Sequence, residues 1–205
     1  MTISVIDYGM GNVSSVVNML RKLGDEPSLV RDPDGVARAD KLILPGVGAF
    51  DNAISRLSAL GLIEPLRAHV EARGNPLLGI CLGMQLLCRG SDEGTQAGLG
   101  WLNTRAVHLS ALDPAGRLPI PKMGWNSIEI VRRMPLLEGL ESGARFYFAH
   151  SYFVPNDGSE AIAATAEYGG RYAACVRSGI VFGAQFHPEK SHRFGLQLLA
   201  NYCAL

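Results

Sequence analysis

The sequence has few cysteines, no excess of charge of either sign and no long apolar run, and each absence excludes a class of protein. Its 205 residues carry 19 basic and 19 acidic side chains, so the formal net charge is zero. A neutral chain lacks the basic excess typical of proteins that bind nucleic acid or anionic membranes. No apolar run approaches the ~20 residues of a membrane-spanning helix, and the first residues have no basic and apolar signal pattern.

The cysteine spacing predicts neither a metal site nor a redox site. No C-x-x-C pair occurs among Cys81, Cys88, Cys175 and Cys203, and so few cysteines are typical of the reducing cytosol. The Gly9–Gly11 turn also lacks the third glycine of a dinucleotide fingerprint. We therefore expect a cytoplasmic protein without a metal or another cofactor, in which Cys88 and Cys203 are core residues.

Strand and helix patterns alternate along the first half of the chain. Apolar segments at 3–6, 28–30, 41–44 and 76–80 predict strands, and helical spacing follows from residue 12, over 50–72 with breaks at Gly61 and Pro65, and over 84–88. Later segments favour strands at 107–109, 127–131, 146–149, 162–166, 172–176 and 180–185, and a helix at 191–199. We predict one α/β domain over residues 1–205, with a mostly parallel central sheet flanked by helices and a more antiparallel C-terminal part.

A cysteine lies between two glycines at a predicted strand-to-helix junction. The segment Gly79-Ile80-Cys81-Leu82-Gly83 has the spacing of a nucleophile elbow. Such a turn strains the backbone of the nucleophile, so its neighbours must be glycines to avoid clashes. The amides of the following helix favour the thiolate, which is the reactive form. Cys81 is therefore a candidate nucleophile, and a buried structural cysteine in a glycine-rich turn is the alternative.

A histidine and a carboxylate stand two residues apart in the segment 185–191. Pro188 separates His187 from Glu189 and disfavours a helix there, and side chains two apart on an extended segment point to the same side. The imidazole would then accept the proton of Cys81 while the carboxylate orients the ring. A His-x-Glu pair by itself is more often solvent-exposed. Combined with the elbow, it predicts a Cys-His-Glu triad.

The segment Leu44-Pro45-Gly46-Val47-Gly48-Ala49 follows another predicted strand. Its glycines allow a backbone N–H to turn toward a ligand. The N–H groups of Val47 and Leu82 are therefore candidates for an oxyanion hole, which is commonly the largest contribution to acyl-transfer catalysis. The alternative is a plain turn that leads into the next helix.

Six segments together resemble the class I glutamine amidotransferases, which have a flavodoxin-like fold, and they span most of the chain: Tyr8-Gly-Met-Gly-Asn12, Pro45-Gly-Val-Gly-Ala-Phe50, Gly79-Ile-Cys-Leu-Gly-Met-Gln85, Lys122-Met-Gly-Trp-Asn126, Tyr147-Phe-Ala-His-Ser-Tyr152 and Gln185-Phe-His-Pro-Glu-Lys-Ser191. The resemblance implies that Cys81 attacks the side-chain amide of glutamine and that His187 protonates the departing ammonia. It also implies substrate-binding roles for Gly46, Gln85, Glu93, Ser151 and Tyr152. For Glu93, a solvated loop acid is the alternative.

The segments at 122–126 and 147–152 resemble one branch of this family, the glutaminase subunits that form a heterodimer with a (β/α)8-barrel cyclase. In that branch the ammonia passes to the cyclase, which forms imidazole glycerol phosphate and AICAR in histidine biosynthesis. The positions that match those facing the cyclase are Asn12, Met123, Trp125, Asn126, Tyr147 and Lys190. An exposed Trp125 is a plausible interface anchor, and an ordinary core tryptophan is the alternative.

Position 122 departs from the branch, in which a histidine is more common than the lysine found here, and we expect Lys122 to affect partner contacts or the response to pH.

Two other enzymes are compatible with the same motifs: the glutaminase of another amidotransferase complex, and a stand-alone glutamyl hydrolase. A non-catalytic scaffold is disfavoured because Cys81, His187 and Glu189 are all present.

Overall fold

The fold is built around an eight-stranded mixed sheet. The computed structural model describes residues 2–205. The strands are β1 (Ile3–Ile6), β2 (Ser28–Val30), β3 (Lys41–Gly46), β4 (Leu77–Cys81), β5 (Cys88–Ser91), β6 (Leu102–His108), β7 (Lys122–Ser127), β8 (Glu129–Ile130), β9 (Arg145–His150), β10 (Tyr152–Phe153), β11 (Ile162–Glu167), β12 (Arg171–Ser178) and β13 (Val181–Ala184). The α-helices are α1 (Val13–Lys22), α2 (Pro33–Arg38), α3 (Phe50–Ala59), α4 (Ile63–Arg67), α5 (Leu82–Leu86) and α6 (His192–Ala204). Within residues 2–205, no helix is long and apolar enough to cross a membrane.

The strand order of the main sheet is β2-β1-β3-β4-β13-β12-β11-β8. The first five strands pair in parallel, and β12, β11 and β8 continue the sheet with antiparallel pairing. The order of the parallel strands is that of flavodoxin-like folds, in which ligands bind beyond the carboxyl ends of the strands. The predicted architecture is therefore confirmed. A ligand site is expected at the edge of the sheet where β3 and β4 end.

The core lies on both faces of the parallel strands. In β3, Leu42 and Leu44 pack on one face, with Phe50 and Leu57 of α3, whereas Ile43 packs on the other with α1. All six residues of β3 are buried, as expected for a strand covered on both sides. Each fully buried large apolar side chain contributes roughly 1.5–3 kcal/mol. This double-sided packing fixes the ends of β3 and β4 relative to each other.

Three local predictions are wrong for identifiable reasons. Helix α2 was not expected, although Asp32 caps it by accepting a hydrogen bond from Gly35 N–H at 2.7 Å and a proline occupies its first position. Pro65 causes no break, because it is the third residue of α4, where an N–H would have no helical partner anyway. Cys88 lies in β5 and not on the elbow helix, which ends at Leu86.

Two smaller β-structures carry the remaining strands. Strands β10, β6 and β5 form a three-stranded sheet, and β7 pairs with β9 as a two-stranded antiparallel ribbon. Strand β7 was not expected, because the predicted strand at 127–131 corresponds to the short β8, whereas β9 matches the strand expected at 146–149. Both structures approach the carboxyl edge of the parallel strands, where they close the site described below.

Candidate active site

Cys81 sits in a strained turn between β4 and α5. Its φ of 54° and ψ of −109° lie in a region that non-glycine residues rarely occupy, at a cost of about 1–3 kcal/mol. A Cβ added at Gly83 would lie 1.9 Å from the Leu44 carbonyl oxygen, and one at Gly79 would lie 2.6 Å from the Gly83 carbonyl oxygen. The two glycines therefore permit the close approach of helix and strand that the elbow spacing predicts.

His187 and Glu189 contact each other in a buried position. Nδ1 of His187 lies 2.9 Å from Oε1 of Glu189, and the two side chains are 3% and 1% exposed. The backbone between them differs from the extended segment that was expected, because Pro188–Lys190 forms a 3₁₀ turn with the proline at its first position. There the missing N–H of Pro188 has no cost. The Asn12 side chain donates a hydrogen bond to the same carboxylate oxygen at 3.3 Å.

The environment of His187 favours its protonated form. Burial lowers the pKa of this imidazole, but hydrogen bonding with Cys81 and Glu189 and the negative charges of both groups raise it more, and the resulting pKa is about 10. An imidazole that holds a proton can give it to a departing group. The arrangement therefore combines a candidate nucleophile, Cys81, with a candidate proton donor, His187.

A cavity of about 200 Å³ opens beside the Cys81 sulfur. Of the residues assigned from the sequence, seven line it: Val47, Cys81, Leu82, Gln85, Glu93, Ser151 and Tyr152. Glu93 is half-buried and accepts a hydrogen bond from Phe50 N–H at 2.8 Å, so it is not a solvated loop acid. Gly46 is not among the residues that line the cavity; a Cβ there would meet Gly83 N and the Tyr8 hydroxyl at 2.8 Å, so this position packs closely against the elbow.

Two residues at the site were not selected from the sequence. The Gln185 side-chain amide donates toward Cys81 Sγ at 3.8 Å, and its oxygen accepts from Gln85 Nε2 at 3.3 Å. His150 lines the cavity and its Nδ1 lies 2.9 Å from the Tyr152 carbonyl oxygen. Burial lowers the pKa of His150 to about 3, which keeps the ring neutral. Gln185 lies two residues before His187, but its spacing alone gave no signal of a contact with the Cys81 sulfur.

An aromatic surface lies on the β7–β9 ribbon beside the site. Met123 and Trp125 are 66% and 39% exposed, so Trp125 is not a core residue. Its ring stacks on His192 with centroids 5.3 Å apart and meets Tyr147 edge-on at 6.2 Å. The Lys190 ammonium lies 5.6 Å from the Tyr147 ring centroid. We call these five residues the ribbon surface.

The other face of the ribbon is turned inward. Lys122 is buried, with its ammonium 4.4 Å from the Tyr168 ring centroid and 5.6 Å from that of Phe148, and burial lowers its pKa. It pairs with His150 across the ribbon, where its charge helps to keep that ring neutral. Asn126 donates its side-chain hydrogen bond to the Glu167 carbonyl oxygen at 2.8 Å. The Lys122 side chain therefore packs on the inner face of the ribbon and is not part of the exposed face.

The ribbon is joined by hydrogen bonds to the segment 187–191, which carries His187 and Glu189. His187 N–H donates to the Tyr147 carbonyl oxygen at 2.8 Å, and Tyr147 N–H donates to Ser191 Oγ at 3.0 Å. The Ser191 hydroxyl in turn donates to the His187 carbonyl oxygen at 2.6 Å. The residue that carries the imidazole is thus held directly by the strand that presents Tyr147.

A family model and the relatives with similar sequences indicate the same protein family. The family model described as glutamine amidotransferase class-I matches residues 4–204. A relative from Methanococcus maripaludis, named imidazole glycerol phosphate synthase subunit HisH 2, is 44% identical over 200 residues, covering 98% of each chain. A relative from Syntrophotalea carbinolica, named imidazole glycerol phosphate synthase subunit HisH, is 46% identical over 203 residues, again covering 98% of each chain.

Solved structures resemble the fold at lower sequence identity. A crystal structure titled glutamine amidotransferase superposes with a TM-score of 0.75 at 22% identity and covers 98% of each chain. A chain of the structure titled PurLQS from Thermotoga maritima gives a TM-score of 0.74 at 21% identity, covering 99% of this chain and 97% of that one. At these identities the structures support the fold alone.

Proposed function

The chain belongs to the class-I glutamine amidotransferases, and from this premise we propose that it hydrolyses glutamine to glutamate and ammonia through Cys81, His187 and Glu189. The observation that carries the proposal is the strained cysteine at the elbow together with a buried histidine–glutamate pair in hydrogen-bond contact. A thiolate next to a proton donor is the pair of groups that amide cleavage requires. We propose residues 1–205 as one amidotransferase domain.

In the first half of the reaction the Cys81 thiolate attacks the side-chain amide carbon of glutamine. The oxygen of the tetrahedral intermediate is stabilised by the N–H groups of Val47 and Leu82, both of which belong to the cavity wall. His187 gives its proton to the nitrogen, the carbon–nitrogen bond breaks, and ammonia leaves. Cys81 then carries the glutamyl group as a thioester.

In the second half His187, now neutral, removes a proton from water, which attacks the thioester carbon. The carbon–sulfur bond breaks, glutamate is released, and the thiolate and the imidazolium are restored. Glu189 keeps the imidazole in one orientation during both proton transfers. Gln85, Ser151 and Tyr152 hold the substrate in the cavity, and the Glu93 carboxylate pairs with its α-ammonium group.

We further propose that the ammonia is delivered to a (β/α)8-barrel cyclase in histidine biosynthesis, where imidazole glycerol phosphate and AICAR are formed. The support is that relatives 38–46% identical over nearly the whole chain are named subunits of imidazole glycerol phosphate synthase. The ribbon surface is the proposed docking face, because exposed tryptophan and tyrosine are favoured at interface hot spots. Asn12 and Asn126 are less exposed and hold the residues behind that face.

A cytoplasmic location fits this proposal. All four cysteines are free thiols, and three of them, Cys81, Cys88 and Cys175, are buried; Cys203 is only partly covered. Burial raises the pKa of Cys88 to about 12, so this thiol stays protonated and unreactive. Free thiols of this kind are typical of a reducing compartment, because disulfides form and persist in oxidising ones.

The test is covalent labelling with a glutamine analogue that carries an electrophile at the amide carbon. We expect one mass increment, located on Cys81 and abolished in Cys81→Ala, while Cys88→Ala labels like the parent. Labelling at another residue, or none with the cyclase present, would sink the assignment. A glutamine assay with and without the cyclase separates the proposed subunit from a stand-alone hydrolase, because only the subunit requires the partner for full activity.

A further inference from the structure

The loop that follows β5 is held against the start of α3 by the side chain of Asp51. One of its oxygens, Oδ2, accepts a hydrogen bond from Thr95 N–H at 2.9 Å, and Oδ1 accepts one from Gln96 N–H at 3.0 Å. The Gln96 side-chain amide donates back to the Asp51 carbonyl oxygen at 2.9 Å. The two backbone N–H groups lower the pKa of Asp51, so its contacts are charge-assisted near neutral pH.

The loop leaves no room for a side chain at Gly94, where it turns over Asp51. A Cβ at that position would lie 2.0 Å from Asp51 Oδ1 and 2.6 Å from Oδ2. Only a glycine allows the carboxylate to reach the backbone of the next two residues. The loop and the first turn of α3 therefore fit each other as one closely packed unit.

The neighbour of Gly94 on the other side is Glu93, which lines the cavity. Its carboxylate accepts a hydrogen bond from Phe50 N–H at 2.8 Å, one residue before Asp51. The first turn of α3 thus holds the loop at two points, through Phe50 and through Asp51. A group that recognises a charge must be placed closely, because an error of ~1 Å can cost about 10²-fold.

We propose that Asp51 is a positioning residue for substrate recognition: by clamping residues 94–96 onto the first turn of α3, it fixes the Glu93 carboxylate where the α-ammonium of glutamine binds. The inference rests on the proposed function and extends it to a residue outside the cavity wall. Asp51 does not contact the elbow through its carboxylate, so it acts on substrate binding and not on the reactivity of the Cys81 sulfur.

The test measures how fast the full chain is inactivated by the electrophilic glutamine analogue. For Asp51→Ala we expect the half-saturating concentration to rise about tenfold, with the limiting rate within about twofold of the parent. An analogue without the α-amino group does not use Glu93, so it should label the parent and the variant equally. Iodoacetamide, which needs only the sulfur, should also react equally with both.

Two further variants separate positioning from a general loss of stability. Asp32→Ala removes a similar carboxylate–backbone hydrogen bond at the start of α2, far from the cavity, and should keep the parental half-saturating concentration. Asp51→Asn keeps one of the two acceptor oxygens and should fall between the parent and Asp51→Ala.

Two results would overturn the inference. One is an unchanged half-saturating concentration in Asp51→Ala. The other is an equal slowing of all three reagents, which would indicate only a damaged fold. If the parent itself is not labelled at Cys81, the proposed function fails and this inference fails with it. If the parent is labelled and Asp51→Ala behaves like it, only the inference about Asp51 is lost.

Discussion

Adding one methyl group at Gly83 should disable the elbow while leaving the fold in place. In Gly83→Ala the new Cβ would lie 1.9 Å from the Leu44 carbonyl oxygen, whereas real Cβ contacts are essentially never shorter than 3.0 Å. Strand β3 and helix α5 must therefore separate by about 1 Å. Strand β3 leads directly to Val47 and α5 begins with Leu82, so the two proposed oxyanion N–H groups move apart. A misplacement of this size costs about 10²-fold in rate, or about 2.7 kcal/mol.

The cost of the same change in folding stability can be measured separately from the loss of rate. Overpacking of a core contact lowers the free energy of unfolding by about 1–3 kcal/mol, which denaturant titration resolves. The rate is followed as glutamate release in the complex with the cyclase. Gly35→Ala is the control. Gly35 lies in α2, remote from the site, and its new Cβ would lie 2.9 Å from Val30 Cγ1, so the change also overpacks a contact. A kcat for Gly83→Ala within threefold of the parent, or an equal rate loss in Gly35→Ala, would refute the steric reasoning.

Three other predictions concern the charges and the surface around the site. Glu189→Gln removes a charge that raises the pKa of His187, so the basic limb of the kcat–pH profile should shift to lower pH by about one unit; an unmoved limb contradicts this. The pKa of His150 is depressed from 6.5 to about 3, so the unfolded chain takes up this proton first and stability falls as the pH drops below 6.5. His150→Gln should therefore lose about 2 kcal/mol less than the parent between pH 7.5 and pH 5 in denaturant titrations, and parallel losses would exclude the buried neutral ring. Trp125→Ala should weaken cyclase binding about 30-fold or more by calorimetry, while labelling of Cys81 in the isolated chain stays at the parental rate; unchanged affinity would remove Trp125 as an anchor.

The elbow and the parallel sheet could be predicted because local rules and the tertiary structure agree there. Apolar strands of four to six residues that lead into glycine-flanked turns leave few alternatives for β3 and β4. Positions 79 and 83 must be glycine because a Cβ at either would clash with nearby backbone, and this requirement is visible in the sequence as the spacing of the two glycines. The strained turn at Cys81 was predictable for the same reason, because the glycines two residues before and after it make room for such a turn.

Other features could not be predicted because they depend on segments far apart in the chain. The 3₁₀ turn after His187 is set by the backbone bridge to Tyr147, which no local pattern encodes. The contact of Gln185 with the Cys81 sulfur joins residues 104 positions apart. The inward position of Lys122 follows from the register of the β7–β9 ribbon, which places alternate residues on opposite faces.

The place of β13 in the sheet has a consequence for how the protein is made. This strand is the last one in the chain, yet it lies in the middle of the sheet, between β4 and β12. A ribosome-bound chain that has not yet released it exposes the edge of β4 as an open template for other strands. The same incomplete chain contains Cys81 but does not yet present His187, which follows β13. Because the proposed triad includes His187, which follows β13, we expect incomplete translation products to lack glutaminase activity and to be prone to aggregate.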